Sequence, residues 1–457
     1  MTRYRITISG PNKAAMADLV RKYDLQVFDH GIRFAPDIGY TVTALAVPEE
    51  IRKLQQNGYV VLQHEDSDEL GKIRQREVGV GNRYISSAHG RCPPSAKYLN
   101  VEEVESAILA AGAAPYSDIT ELITLPYPTW ESRQCHALRI GSGSYANRIG
   151  VYFLGGVHSR EWGSCDILIN FIERIEQAYL NDTALTFGRK TFSAAQIKKI
   201  INTLDMVIFP QVNPDGRHHS MTVECAWRKN RRPAPPDFPR CPGVDINRNY
   251  DFLWDFPKHF SPSSAILTST KPCNDYYHGE SAFSEPEARN VRWIVDKFTN
   301  TRFFIDLHSS GQHILYRWGD DEDQTEDPSM NFMNAAYDRA RGVDGGYKEY
   351  IPANDLAAAL SLATTLRDGI KAVRGTDYII EPTYNGVYPT AGTSDDYFYS
   401  RHFANVSQTK ILSYTLEWGA EFQPPYKEMR HIIDEITAGL LAFCLDIVAM
   451  TQARTAA

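Results

Sequence analysis

Four apolar runs in this chain each break off at residues able to do chemistry. Val151-Tyr152-Phe153-Leu154 leads through Gly155-Gly156 to His158 and Glu161. Phe209 leads to Asn213-Pro214-Asp215-Gly216, Leu307 to His308-Ser309-Ser310-Gly311, and Leu416 to Glu417-Trp418-Gly419. Short apolar runs bounded by turn residues read as buried strands. A His or Glu at the end of such a strand is costly unless it is paired or coordinated. If the strands are parallel, these groups gather along one edge of a sheet, where open α/β folds bind ligands.

His158 and Glu161 are the first such pair, and the helical pattern of Cys165 to Ile172 follows them. Three positions apart, they lie on one side of a turn and could hold one metal ion through a nitrogen and a carboxylate. A bare His-x-x-Glu is more often a surface ion pair, so a third ligand is needed. His308 supplies one. Two histidines and a glutamate leave a coordination position open, the mark of a catalytic rather than a structural zinc site. Glu417 is then free of ligand duty and available as a general base.

The rest of the chain frames this edge. Its 457 residues, 43% hydrophobic, suffice for one large core or a large domain with a smaller companion. A net charge of −8 gives no footprint for nucleic acid or an anionic membrane, so neither partner is expected. No apolar run reaches transmembrane length. No signal peptide is visible after Met1, which points to the cytoplasm if that start is native.

Residues 1–70 read as a small α+β domain in the order β-α-β-β-α-β, the ferredoxin-like arrangement. Residues 71–96, with scattered Arg and Gly and no sustained period, read as a linker, and limited proteolysis is expected around Arg74 and Arg76. From 97 to 457, strands at His136–Ile140, Val151–Leu154, Met206–Pro210, Phe303–Leu307 and Ile411–Leu416 alternate with helical segments. A mixed, mostly parallel twisted sheet covered by helices on both faces is expected. Asp215 reads as turn chemistry.

These motifs resemble the zinc carboxypeptidases of the pancreatic A/B type, in the same order, from Tyr98 to about Phe443. The resemblance implies one zinc ion per chain, held by His158, Glu161 and His308. It implies an exopeptidase that cuts the C-terminal peptide bond of peptides or proteins with a metal-activated water, Glu417 being the general base. Trp227-Arg228 matches the family's Trp-Arg pair, and Arg228 would stabilise the oxyanion. Asp245-Ile246-Asn247-Arg248-Asn249 matches its Asp-x-Asn-Arg-Asn run. Asn247 and Arg248 would take the substrate carboxylate, and Asp245 would fix the tautomer of His158. Tyr388 matches the flexible tyrosine, and Arg160 would touch the substrate upstream of the cut.

The resemblance also bears on specificity and compartment. Asp395, three positions after Gly392, matches the floor of the specificity pocket. A carboxylate there goes with C-terminal Lys or Arg, or with mixed preference. Gly319, Thr383, Thr390, Thr393 and Thr415 would leave room for a long side chain. Ser310 stands where relatives often carry tyrosine. Cys241 and Cys273 flank the Asp-x-Asn-Arg-Asn run as a disulfide pair does in pancreatic relatives, and a bond there implies an oxidising, extracellular setting. Residues 1–70 resemble a pro-segment in topology. A monomer is expected. The competing readings are a same-fold enzyme for aromatic or aliphatic C-termini or for cell-wall peptides, and a peptide-binding module without turnover.

Overall fold

The computed structural model describes residues 2–28, 32–84, 96–145, 148–343, 345–384 and 386–456. Near the N-terminus, β1 (Tyr4–Gly10), β2 (Gln26–Val27), β3 (Arg33–Ala35), β4 (Gly39–Ala46) and β5 (Val60–Asp66) form an antiparallel sheet. The order β2-β4-β1-β5 is that of the expected ferredoxin-like unit, with β3 added on β4. The helices Lys13–Arg21 and Pro48–Gln56 place Met16, Leu19, Ile51 and Leu54 in one cluster with Ile6, Ile8, Val42 and Ala44.

The stretch read as a linker starts differently from expectation. Ser67–Gln75 is a helix, with Asp66 as its N-cap and Asp68 and Glu69 in its first turn. Gly71 needs no turn there: a Cβ would lie 2.4 Å from that of Cys225, so glycine permits close packing. Arg74 donates to the carbonyl of Gln423 at 3.0 Å, leaving only Arg76 of the two expected cleavage points exposed. Gly90 and Arg91, the last members of that reading, lie outside the described residues.

The large sheet is built from β6 (Thr120–Thr124), β7 (His136–Ile140), β8 (Ile149–Gly155), β11 (Leu204–Phe209), β12 (Thr301–His308), β13 (His313–Tyr316), β16 (Ile379–Pro382) and β17 (Leu412–Glu417). Two short pairs lie outside it: β9 (Leu185–Phe187) with β10 (Lys190–Phe192), and β14 (Asp323–Gln324) with β15 (Glu349–Tyr350). Its order is β16-β13-β17-β12-β8-β11-β7-β6. The central four, β17-β12-β8-β11, are parallel, and antiparallel pairings begin on either side.

Alternation along β8 explains the layers. Val151 and Phe153 enter one hydrophobic cluster, Tyr152 and Leu154 the other. The first cluster joins the helices Gly163–Asn181, Ala353–Arg374 and Tyr426–Ala456; the second joins Pro286–Lys297 and Ser394–Ala404. Both faces are covered, so the polar strand ends are left for the edge.

Candidate metal centre and active site

Parallel pairing sets the site. Leu307 of β12 is level with Gly155 of β8, and His308 is level with Glu417 of β17. Past Gly155 the chain turns through Gly156, whose φ of +69° suits glycine and whose Cβ would lie 2.8 Å from the sulfur of Cys165. That turn delivers His158 and Glu161 beside His308.

Ligand atoms of His158, Glu161 and His308 all lie within 4.8 Å of one another, and the three residues are buried. His158 Nδ1 is 2.9 Å from Glu161 Oε1, while His308 Nδ1 is 3.0 Å from both Glu161 Oε2 and His158 Nδ1. Two imidazole nitrogens facing each other at that distance suit a shared cation, and the N, N, O donor set fits zinc. Each ring is backed by a carboxylate on its far nitrogen: His158 Nε2 by Asp245 at 3.2 Å and His308 Nε2 by Asp306 at 3.0 Å. Such partners fix ring orientation and raise ligand basicity. Burial opposes the charge of Glu161 and of Asp245, but the neighbouring histidines and, for Asp245, first of all Arg228 hold both well below the usual carboxylate range.

Asp306 is the residue that sequence reasoning missed. It sits two positions before His308 on one strand, and therefore on the same face. Ser394 Oγ donates to its Oδ2 at 2.7 Å.

The other expected residues lie around this cluster. Arg228 Nε donates to Asp245 at 2.9 Å, and the backbone N–H of Asn247 donates to the same carboxylate at 3.0 Å. Asn247 Oδ1 accepts from Ser394 N–H at 2.8 Å. Arg248 donates to the carbonyls of Leu267 and Asn247 at 2.5 and 2.7 Å. Gly392 makes room for it, since a Cβ there would lie 2.3 Å from the Arg248 carbonyl oxygen. The guanidinium groups of Arg228 and Arg248 lie 5.1 and 5.4 Å from the Tyr276 ring. Arg160 lies over Phe422 at 4.3 Å and Phe28 at 5.8 Å.

Asp395 is buried, and its Oδ2 accepts from the Thr383 hydroxyl at 2.9 Å. Asp396 accepts from Gly319 N–H at 3.2 Å and from Thr393 Oγ1 at 3.0 Å. Burial pushes the Asp396 carboxyl well up, with Asp395 and Asp320 adding to it. Asp215 is no turn residue: it is buried, ion-paired to Arg133, and accepts from Thr129 Oγ1 and Glu131 N–H at 2.9 and 2.8 Å. Cys241 and Cys273 are disulfide-bonded, and the four free cysteines described are all buried.

The N-terminal unit closes over this region. Tyr388 donates its hydroxyl to the Met16 carbonyl at 2.8 Å, and Tyr276 donates to the Val27 carbonyl. Gln26 bonds Asp275, and the Phe28 and Phe422 rings are 4.8 Å apart.

Comparison with known proteins agrees with this arrangement. A family model described as zinc carboxypeptidase matches residues 106–439. Mouse carboxypeptidase A4 is 29% identical over 271 residues, 59% of this chain and 52% of that protein. A protein of Arthroderma otae named inactive metallocarboxypeptidase is 33% identical over 215 residues, 45% of this chain and 32% of its own. The matches thus span about half of the mouse protein and a third of the fungal one. In structure, carboxypeptidase A from Helicoverpa armigera superposes with a TM-score of 0.72 over 98% of both chains, at 21% identity. The chain belongs to the zinc carboxypeptidase family.

Proposed function

We propose that this protein is a zinc-dependent exopeptidase that removes single residues from peptide C-termini. The observation that carries the reading is the meeting of His158, Glu161 and His308 at the strand ends, with Glu417 level with His308 on the neighbouring strand. His158, Glu161 and His308 would hold the ion, which when bound supplies a Lewis acid at the scissile carbonyl.

The chain's own groups account for the remaining roles. Glu417 takes a proton from the attacking water and passes it to the departing amine, base then acid. Arg228, held by Asp245, presents a fixed cation to the developing oxyanion. Arg248 and Asn247 bind the substrate's free carboxylate, which selects chain ends over internal bonds. Tyr388 covers the bound end once released from Met16, and Arg160 orients the residue upstream. Asp245 and Asp306 act through the histidines as positioning groups.

Asp395 is the basis for a preference for C-terminal Lys or Arg. A buried carboxylate is stabilised by a cation brought into the same pocket, and neutral side chains offer no such compensation. Residues 1–70 form a cover over Tyr388, Arg160 and Tyr276, so the chain as it stands has a restricted cleft.

Hydrolysis of blocked dipeptides differing only in the C-terminal residue, with and without a chelator, tests this reading. Zinc-dependent release of the last residue is the expected result. Metal-independent cleavage, or none after removal of the N-terminal unit, would contradict it.

A further inference from the structure

On the side of the large sheet that carries the helices Gly163–Asn181 and Tyr426–Ala456, a groove of about 300 Å³ opens between the two. Asn170 and Arg174 line one wall; Lys427, Arg430, His431 and Asp434 line the other. The spacing of the latter, one to two helical turns, puts them on a single face.

The charges in and around this groove do not cancel. Arg174 takes Asp434 at 2.8 Å. Four further carboxylates nearby are engaged elsewhere. Glu428 and Glu435 pair with Arg374, Glu173 accepts from the Tyr84 hydroxyl at 3.0 Å, and Glu77 accepts the Tyr426 N–H at 2.8 Å. Lys427 and Arg430 are exposed and have no ion-pair partner among the described residues. Lys427 and Arg430 thus place two positive charges on one concavity of a chain whose net charge is −8. A concave surface lined by one sign of charge concentrates ligands of the opposite sign. Arg430 offers a planar fork and Lys427 a point charge, a combination suited to oxyanions.

We propose that this groove binds a small ligand carrying two neighbouring oxyanion groups, one met by Arg430 and the other by Lys427. Such groups occur on free dianions and as sulfates on sugars. The site is separate from the metal centre and does not depend on the peptidase reading.

Titration calorimetry on the full, zinc-loaded chain tests it with two probes that bind zinc weakly: ethane-1,2-disulfonate and a sulfated disaccharide. Saturable one-to-one binding of at least one probe is expected, weakened about tenfold or more in Lys427→Ala/Arg430→Ala. The exposed control Lys199→Ala should bind as the wild type does. Hydrolysis of a small dipeptide by the double variant should be unchanged. Binding of the disaccharide alone would assign the site to sugar-borne sulfate; binding of both would assign it to the dianion itself. No saturable binding of either probe, or equal affinity in the double variant, would overturn the proposal.

Discussion

His308 and Glu417 stand side by side at the ends of two adjacent parallel strands, β12 and β17. One is a candidate metal ligand and the other the candidate base, and their spacing is set by backbone pairing rather than by flexible side chains. A base held by the sheet keeps its position when the substrate arrives, which is what efficient proton transfer requires.

Arg248→Ala should weaken binding of free-carboxylate substrates by about 2–3 kcal/mol, the scale of a buried charge-assisted hydrogen bond. KM should carry most of the loss. C-terminally amidated peptides should be poor substrates of the wild type. Equal cleavage of amidated and free peptides would remove Arg248 from the role of carboxylate clamp.

Asp395 is tested by a ratio. The wild type should show a higher kcat/KM for C-terminal Arg or Lys than for Phe or Leu, and Asp395→Ile should invert that order. One buried charge pair lost is worth roughly 3–5 kcal/mol of discrimination. A wild type that prefers Phe, with a ratio unmoved by Asp395→Ile, would take Asp395 out of the pocket floor.

The cover formed by residues 1–70 should slow small substrates. Phe28→Ala removes the ring lying against Phe422 and over Arg160. Its kcat/KM on a blocked dipeptide should rise several-fold, with little change in melting temperature. Unchanged activity, together with unchanged activity after removal of the whole N-terminal unit, would make this unit a permanent accessory rather than a cover.

Glu287 offers a pH test away from the site. Burial, with Glu285 beside it, pushes its carboxyl up to about 8 in the folded protein. A raised carboxyl favours the folded state while protonated, so stability falls as pH climbs from about 4.5 toward 8. Glu287→Gln keeps the hydrogen bond to Asn230 without the charge. It should stabilise the fold by about 4 kcal/mol at pH 8 and by less than about 1 kcal/mol at pH 5. A stabilisation equal at both values would contradict the assignment.

How much of this was legible in the sequence depends on where each residue gets its meaning. His158, Glu161, His308 and Glu417 could be read directly because each follows an apolar run with a clear strand signal. The outer strands β13 and β16 went unseen, since each carries only four residues and neighbours supply its pairing, and β6, Thr120–Thr124, shows only two apolar residues. Asp306 was visible two positions before His308, and strand alternation was signal enough to give it a role. The helix Ser67–Gln75 was obscured by Gly71 and the arginines, whose purpose is contact with Cys225 and Gln423 rather than flexibility. The bond from Tyr388 to Met16 joins residues 372 apart and leaves no local trace.

The central claim rests on Glu417 as the base beside an intact metal centre. Glu417→Gln should be measured for kcat on a blocked dipeptide, with bound zinc and melting temperature determined on the same sample. The account predicts one zinc per chain, an unchanged fold, and a kcat lowered by about two to four orders of magnitude. A metallated, folded Glu417→Gln protein with near wild-type kcat would contradict it.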